Sequence, residues 1–321
     1  MNKPTLISQR IATSRLVGQT ILTEESLHGN AQQLNTSERK PVVLIEHDIL
    51  CPPLGHTLSG EVNPTDDGYV ALDVVSEIYG TPQPTDLPNG EKGFLVASSE
   101  HQNPLSIGIH NHHGDENVIR VDSVNFGGIE QASTFFKELR DDGYDSFTEG
   151  YSERRSELPD PQVIFDLGAN ASVLWIGYRI AKAAADALDP SLKAFFESMY
   201  GVIRRSATEM IPKNRPVTYV LNVHGDPNLQ FVARTRDAEM AITAFGSETI
   251  ANLKPIIETA AQRFNAEMVQ FALSDDGDWE LNYMVSKNGQ TLGSERAFKL
   301  RTARISHLDG LPELTGDRAE P

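Results

Sequence analysis

Between Pro41 and Phe126 short apolar runs alternate with turn residues, the pattern of a β-rich region. Residues 42–45 are continuously apolar, which fits a strand buried on both faces. Residues 57–62 alternate, Asp66, Asp67 and Gly68 signal a hairpin, and 69–78 resume the strand pattern. Pro82, Pro84, Pro88 and Gly90 mark a loop, after which 93–97, 105–109 and 118–124 read as further strands. The expectation is a β-barrel or sandwich-like domain over 41–128, preceded by a polar extension, 1–40, whose one strand is 16–22.

Beyond Gly127 and Gly128 the period changes. Residues 129–139 read as an amphipathic helix, and 144–161 as an acidic linker carrying Pro159 and Pro161. Together, 129–161 form the expected boundary. Residues 169–188 make an Ala-rich helix, and Asp189 and Pro190 open a second one over 192–210, so 162–212 is a helical segment. Strands are expected at 217–223, 229–235, 267–273 and 279–285, around a helix over 237–264 that breaks near Gly246 and Pro255. Asp275, Asp276 and Gly277 supply a hairpin turn. The order ββαββ over 213–304 predicts an antiparallel sheet with helices on one face, ending in a helix over 295–304 and a flexible tail, 305–321. The fold class expected for the whole chain is α+β.

Composition narrows the function. The chain has 321 residues and a formal net charge of −17, which argues against nucleic-acid binding and against docking on an anionic membrane. Cys51 is the sole cysteine, so no intrachain disulfide or thiolate cluster forms, and a reducing, cytoplasmic compartment is expected. The N-terminus lacks the apolar core of a signal peptide. The best membrane candidate, 171–188, is interrupted by Arg179, Lys182 and Asp186. No phosphate loop or dinucleotide fingerprint occurs, and no cofactor is expected.

His47 ends an apolar strand and Ser106 lies on another, the raw material of a nucleophile–base pair. The runs Val43-Leu44-Ile45-Glu46-His47-Asp48, Pro53-Leu54-Gly55 and Asp67-Gly68-Tyr69-Val70-Ala71-Leu72, with Leu105-Ser106-Ile107-Gly108-Ile109, resemble the tailed-phage prohead (capsid maturation) proteases. The resemblance covers about a quarter of the chain and rests on short, degenerate motifs. It implies a serine peptidase that acts on protein or peptide and processes itself, with Ser106 as nucleophile and His47 as base. Asp122 or His110 would orient the imidazole.

Two other readings stand beside it. One is a non-enzymatic interaction or assembly protein that self-associates through the β-domain and the Ala-rich helix. The other is a metal-dependent hydrolase using His110, His112 and His113 with Asp115, although their spacing misses the known zinc templates.

Overall fold

Alternating apolar positions in β3 (Gly55–Pro64) and β4 (Val70–Ile78) make one long hairpin, which β1 (Thr5–Thr13) and β2 (Lys40–Val43) extend. This computed structural model describes residues 5–15, 22–97, 105–106, 114–152, 160–180 and 189–309, with 106 and 307–309 described through their backbone alone. With β7 (Leu105–Ser106) the small sheet runs β1-β4-β3-β2-β7. Helix α1 (Glu24–Thr36) covers one face. Its first turn is capped by the Thr23 hydroxyl, which accepts from the Ser26 N–H at 3.1 Å. Leu27 and Ala31 bury against Leu72 and Val74, and Asn35 clips both backbone groups of Gly60. So few buried apolar side chains make a thin core, and the sheet depends on what its other parts dock against.

The large sheet takes β5 (Gln83–Asp86), β6 (Lys92–Val96) and β8 (Val118–Asp122), then β9 (Thr148–Ser152), β10 (Gln162–Asp166), β11 (Val217–Val223), β12 (Asn228–Thr235), β13 (Ala266–Leu273), β14 (Trp279–Ser286) and β15 (Thr291–Ser294). Their order is β5-β6-β15-β14-β13-β12-β11-β10-β8-β9. Strands on both sides of residue 128 therefore share this sheet.

Helix α2 (Ile129–Asp141) joins β8 to β9. Helix α3 (Ala169–Trp175), continued by a π-turn (Ile176–Ile180), and α4 (Pro190–Glu209) join β10 to β11. Helices α5 (Ala238–Gly246) and α6 (Lys254–Phe264) join β12 to β13. Each of these connections returns the chain to a parallel neighbour. The sheet is consequently mixed, where the ββαββ reading expected it antiparallel.

The α+β class and most elements match the sequence expectations, including the helix breaks at Gly246 and near Pro255. Several elements differ. Strand β5 lies in the expected 82–90 loop, β10 opens the segment 162–212 expected to be helical, and β15 follows the 287–290 turn, where no strand is expected. Each is held by pairing with a strand distant in sequence or across a hairpin. The expected strand at 16–22 falls largely outside the described residues, and the strand of the N-terminal segment is β1. Helix α1 was missed because its apolar residues are few and widely spaced. Strand β9 lies inside the supposed linker, held there because Tyr151 meets Phe136 edge to face, ring centroids 5.7 Å apart.

The two faces of the large sheet differ chemically. One carries the helices and an aromatic core, in which Phe231 meets Trp175, Phe271 and Trp279 at centroid distances of 5.2–5.4 Å. The other carries a row of buried polar side chains bonded from strand to strand. Arg120 on β8 reaches Asp166 at 2.8 Å. Asn222 donates to Asp166 at 2.7 Å, Gln230 to Asn222 at 2.9 Å, Gln270 to Gln230 at 2.6 Å and Asn282 to Gln270 at 2.5 Å. A buried amide without a partner costs about 1–3 kcal/mol, so the row is stable only while it is continuous.

Gln230→Ala strands the Asn222 side-chain oxygen, which accepted from it, and takes one acceptor from the Gln270 amide, which donated to it. Urea unfolding should show a loss of about 2–4 kcal/mol. A loss below about 0.5 kcal/mol would mean that water already satisfies the row.

Candidate functional site

The chain leaves β2 through a 3₁₀ turn, Ile45–His47, in which Glu46 and His47 have φ of 48° and 59°. Two successive non-glycine residues in the left-handed region cost about 1–3 kcal/mol each, so neighbouring contacts must hold them there. Those contacts centre on Asp48, whose side chain is buried. Arg234 on β12 grips it with both terminal nitrogens, at 3.0 and 2.6 Å. The Leu50 N–H donates to it at 3.1 Å, and Arg304 on α7 (Glu295–Asp309) adds a contact at 3.3 Å. Arg304 also reaches Glu46 at 3.4 Å, and Arg215 binds Asp160 at 3.0 Å.

The next residues are pinned through their carbonyls. Ile49 accepts from Gln270 at 3.0 Å and from the Tyr283 hydroxyl at 3.1 Å. Leu50 accepts from Asn282 at 2.9 Å, and Pro53 from Arg301 at 3.0 Å. Loop 45–53 thus lies on the polar row, and its backbone completes the bonding of Gln270 and Asn282.

Burial disfavours the Asp48 carboxylate. The Arg234 hydrogen bonds and charge outweigh that penalty, and the group titrates below the usual carboxylate range. Burial pushes the Cys51 thiol up to about 12, with the Asp48 charge adding to the effect, so it is not a ready nucleophile. Arg301 is pushed down to about 10 by burial.

His47 lines a crevice with Asp160, Gln162, Thr218 and Arg234, whose volume of ≈ 10 Å³ holds one water at most and no peptide. The backbone of Ser106 pairs with Pro41 on the strand that leads to His47. Leu105 belongs to the apolar cluster of Met268, Tyr283 and Val285.

Asp122 ends β8, where its carboxylate accepts from the Val124 N–H at 3.1 Å and caps the following turn. From β13 to β8 there are four strand spacings, about 19 Å, so Asp122 does not stand beside the Leu105 cluster. His110, His112 and His113 lie outside the described residues. Among the described residues no group of His, Cys, Asp and Glu forms a metal site, and no helix is long and apolar enough to cross a membrane.

The residues that organise this region, Arg234, Arg304 and the amides of the polar row, were not singled out in the sequence. Their signal was present: Asp166, Asn222, Gln230 and Gln270 are polar residues directly beside apolar ones in β10 to β13. Compared with protein-family models, curated proteins and solved structures, the chain matches none.

Removing Asp48 leaves the largely buried Arg234 guanidinium without its carboxylate and with Thr218, at 3.0 Å, as its remaining hydrogen-bond partner, so Asp48→Ala should cost about 3 kcal/mol in chemical denaturation. The folded carboxyl titrates below its unfolded value. Its contribution is therefore complete above about pH 4 and is lost as pH falls through the lower folded value. In Asp48→Asn this part of the acid-side slope should vanish. An unchanged slope would assign it to other carboxylates.

Proposed function

We propose that this protein works by docking and that it self-associates through the open edge of its small sheet. One observation carries the reading, the character of β1. It is nine residues long, pairs only with β4 among the described residues, and exposes Leu6 by 64% and Ile11 by 48%. Its single charge, Arg10, is taken up by Asp73 at 3.0 Å. The outer strands of the large sheet are protected in the usual ways: β5 has four residues, including Pro84 and Asp86, while β9 has five, including Glu149 and Gly150. In a chain with a net charge of −17, β1 is a strip along which two copies meet without opposing net charge.

The serine-peptidase reading, Ser106 as nucleophile and His47 as base, has one supporting feature, the pairing of β7 with the strand that enters the His47 turn. It requires the Ser106 hydroxyl to lie within hydrogen-bond reach of His47.

Light scattering over a concentration series should show a mass rising toward twice the 35.3 kDa of one chain, and Leu6→Lys combined with Ile11→Lys should abolish the rise. A monomer mass at every concentration would overturn self-association. For the peptidase reading, wild type should shorten during long incubation while Ser106→Ala stays intact. Identical uncut masses would remove that reading.

A further inference from the structure

The large sheet contains a slot one strand wide. Strand β14 runs from Trp279 to Ser286, but β15 pairs only with Tyr283, Met284 and Val285. After Ser294 the chain turns away into α7, so the edge of β14 from Trp279 to Asn282 has no strand beside it among the described residues. Across the gap stands β6, which pairs with β15 up to Gly93 and Ser294 and continues back through Lys92 toward Glu91.

The gap is a cavity of ≈ 570 Å³. Ile256 of α6 lines it above, Glu295 and Arg296 of α7 below, β14 on one side and the β5–β6 hairpin on the other. Four residues of free edge, about 13 Å, match a short extended peptide.

Charge selects the kind of peptide. Both cations of the lining are already held, Lys92 by Asp86 and Arg296 by Glu280, the latter at 2.8 Å. Glu295 is held by Lys299 at 2.7 Å. Glu91 makes no ion pair among the described residues. Toward the helical layer the wall is apolar, from Trp279, Leu281 and Ile256.

We infer that this slot binds an extended segment of a partner protein, added as a strand to the edge of β14, with an apolar side chain toward Ile256 and a basic one beside Glu91. Strand addition of this kind gains affinity from main-chain hydrogen bonds and specificity from alternate side chains. The inference concerns a different edge from β1 and stands whether or not the chain self-associates.

The probe is a panel of pentapeptides of pattern KXTXT, X being Val, Ile, Leu or Phe, tested at about 1 mM, the range of a weak strand-addition contact. Amide exchange read by mass spectrometry should slow at 279–282 with at least one peptide. For that peptide, backbone N-methylation should weaken binding about tenfold, and Glu91→Lys about fivefold. Glu91 is exposed, so the variant should keep the wild-type melting temperature, which checks its fold. No protection at 279–282 with any peptide, or equal binding of the N-methylated form, would overturn the inference.

Discussion

The structure depends on one buried ion pair, Asp48 with Arg234. The small sheet has a thin core beneath α1 and a turn with two strained residues, neither of which favours independent stability. Asp48 anchors the turn to β12. Once it is anchored, the carbonyls of Ile49, Leu50 and Pro53 fall within reach of Gln270, Asn282 and Arg301. A pair of this type is costly to break because the largely buried arginine would lose its charge partner and be left with its bond to Thr218.

This arrangement gives the polar row a structural role. Sheet faces beneath a docked layer are usually apolar. Here the cover is a loop, which brings backbone carbonyls instead of side chains, and amides such as Gln270 and Asn282 are the groups that satisfy them. The bonded row then carries the demand for partners across the sheet to Arg120, which ends on the carboxylate of Asp166.

Local patterns were legible in the sequence. Strands 217–223 and 229–235, the capped start of α4 at Asp189, and the breaks at Gly246 and Pro255 follow from periodicity, propensity and cap chemistry. Long-range pairing was not. Nothing local tells β5, β6 and β8 to join the sheet built by the C-terminal strands, and nothing in β12 or β13 says they run parallel.

The candidate site shows the same division. His47 does not end the strand as its sequence implies: β2 stops at Val43, and a turn of left-handed backbone with the Asp48–Arg234 pair decides what surrounds it. Asp122 does end a strand and is used as a cap. A motif of a few residues records apolar runs, and it records poorly where strands end and which ends meet.

The claim that the 46–48 turn fastens two sheets into one body is tested most directly by native-state hydrogen exchange. Amides of β3 and β4 should open with the same free energy as those of β11 and β12 in the wild type. In Asp48→Ala the small sheet should open at lower free energy than the large one. Separate opening energies already in the wild type, unchanged by the substitution, would contradict the account.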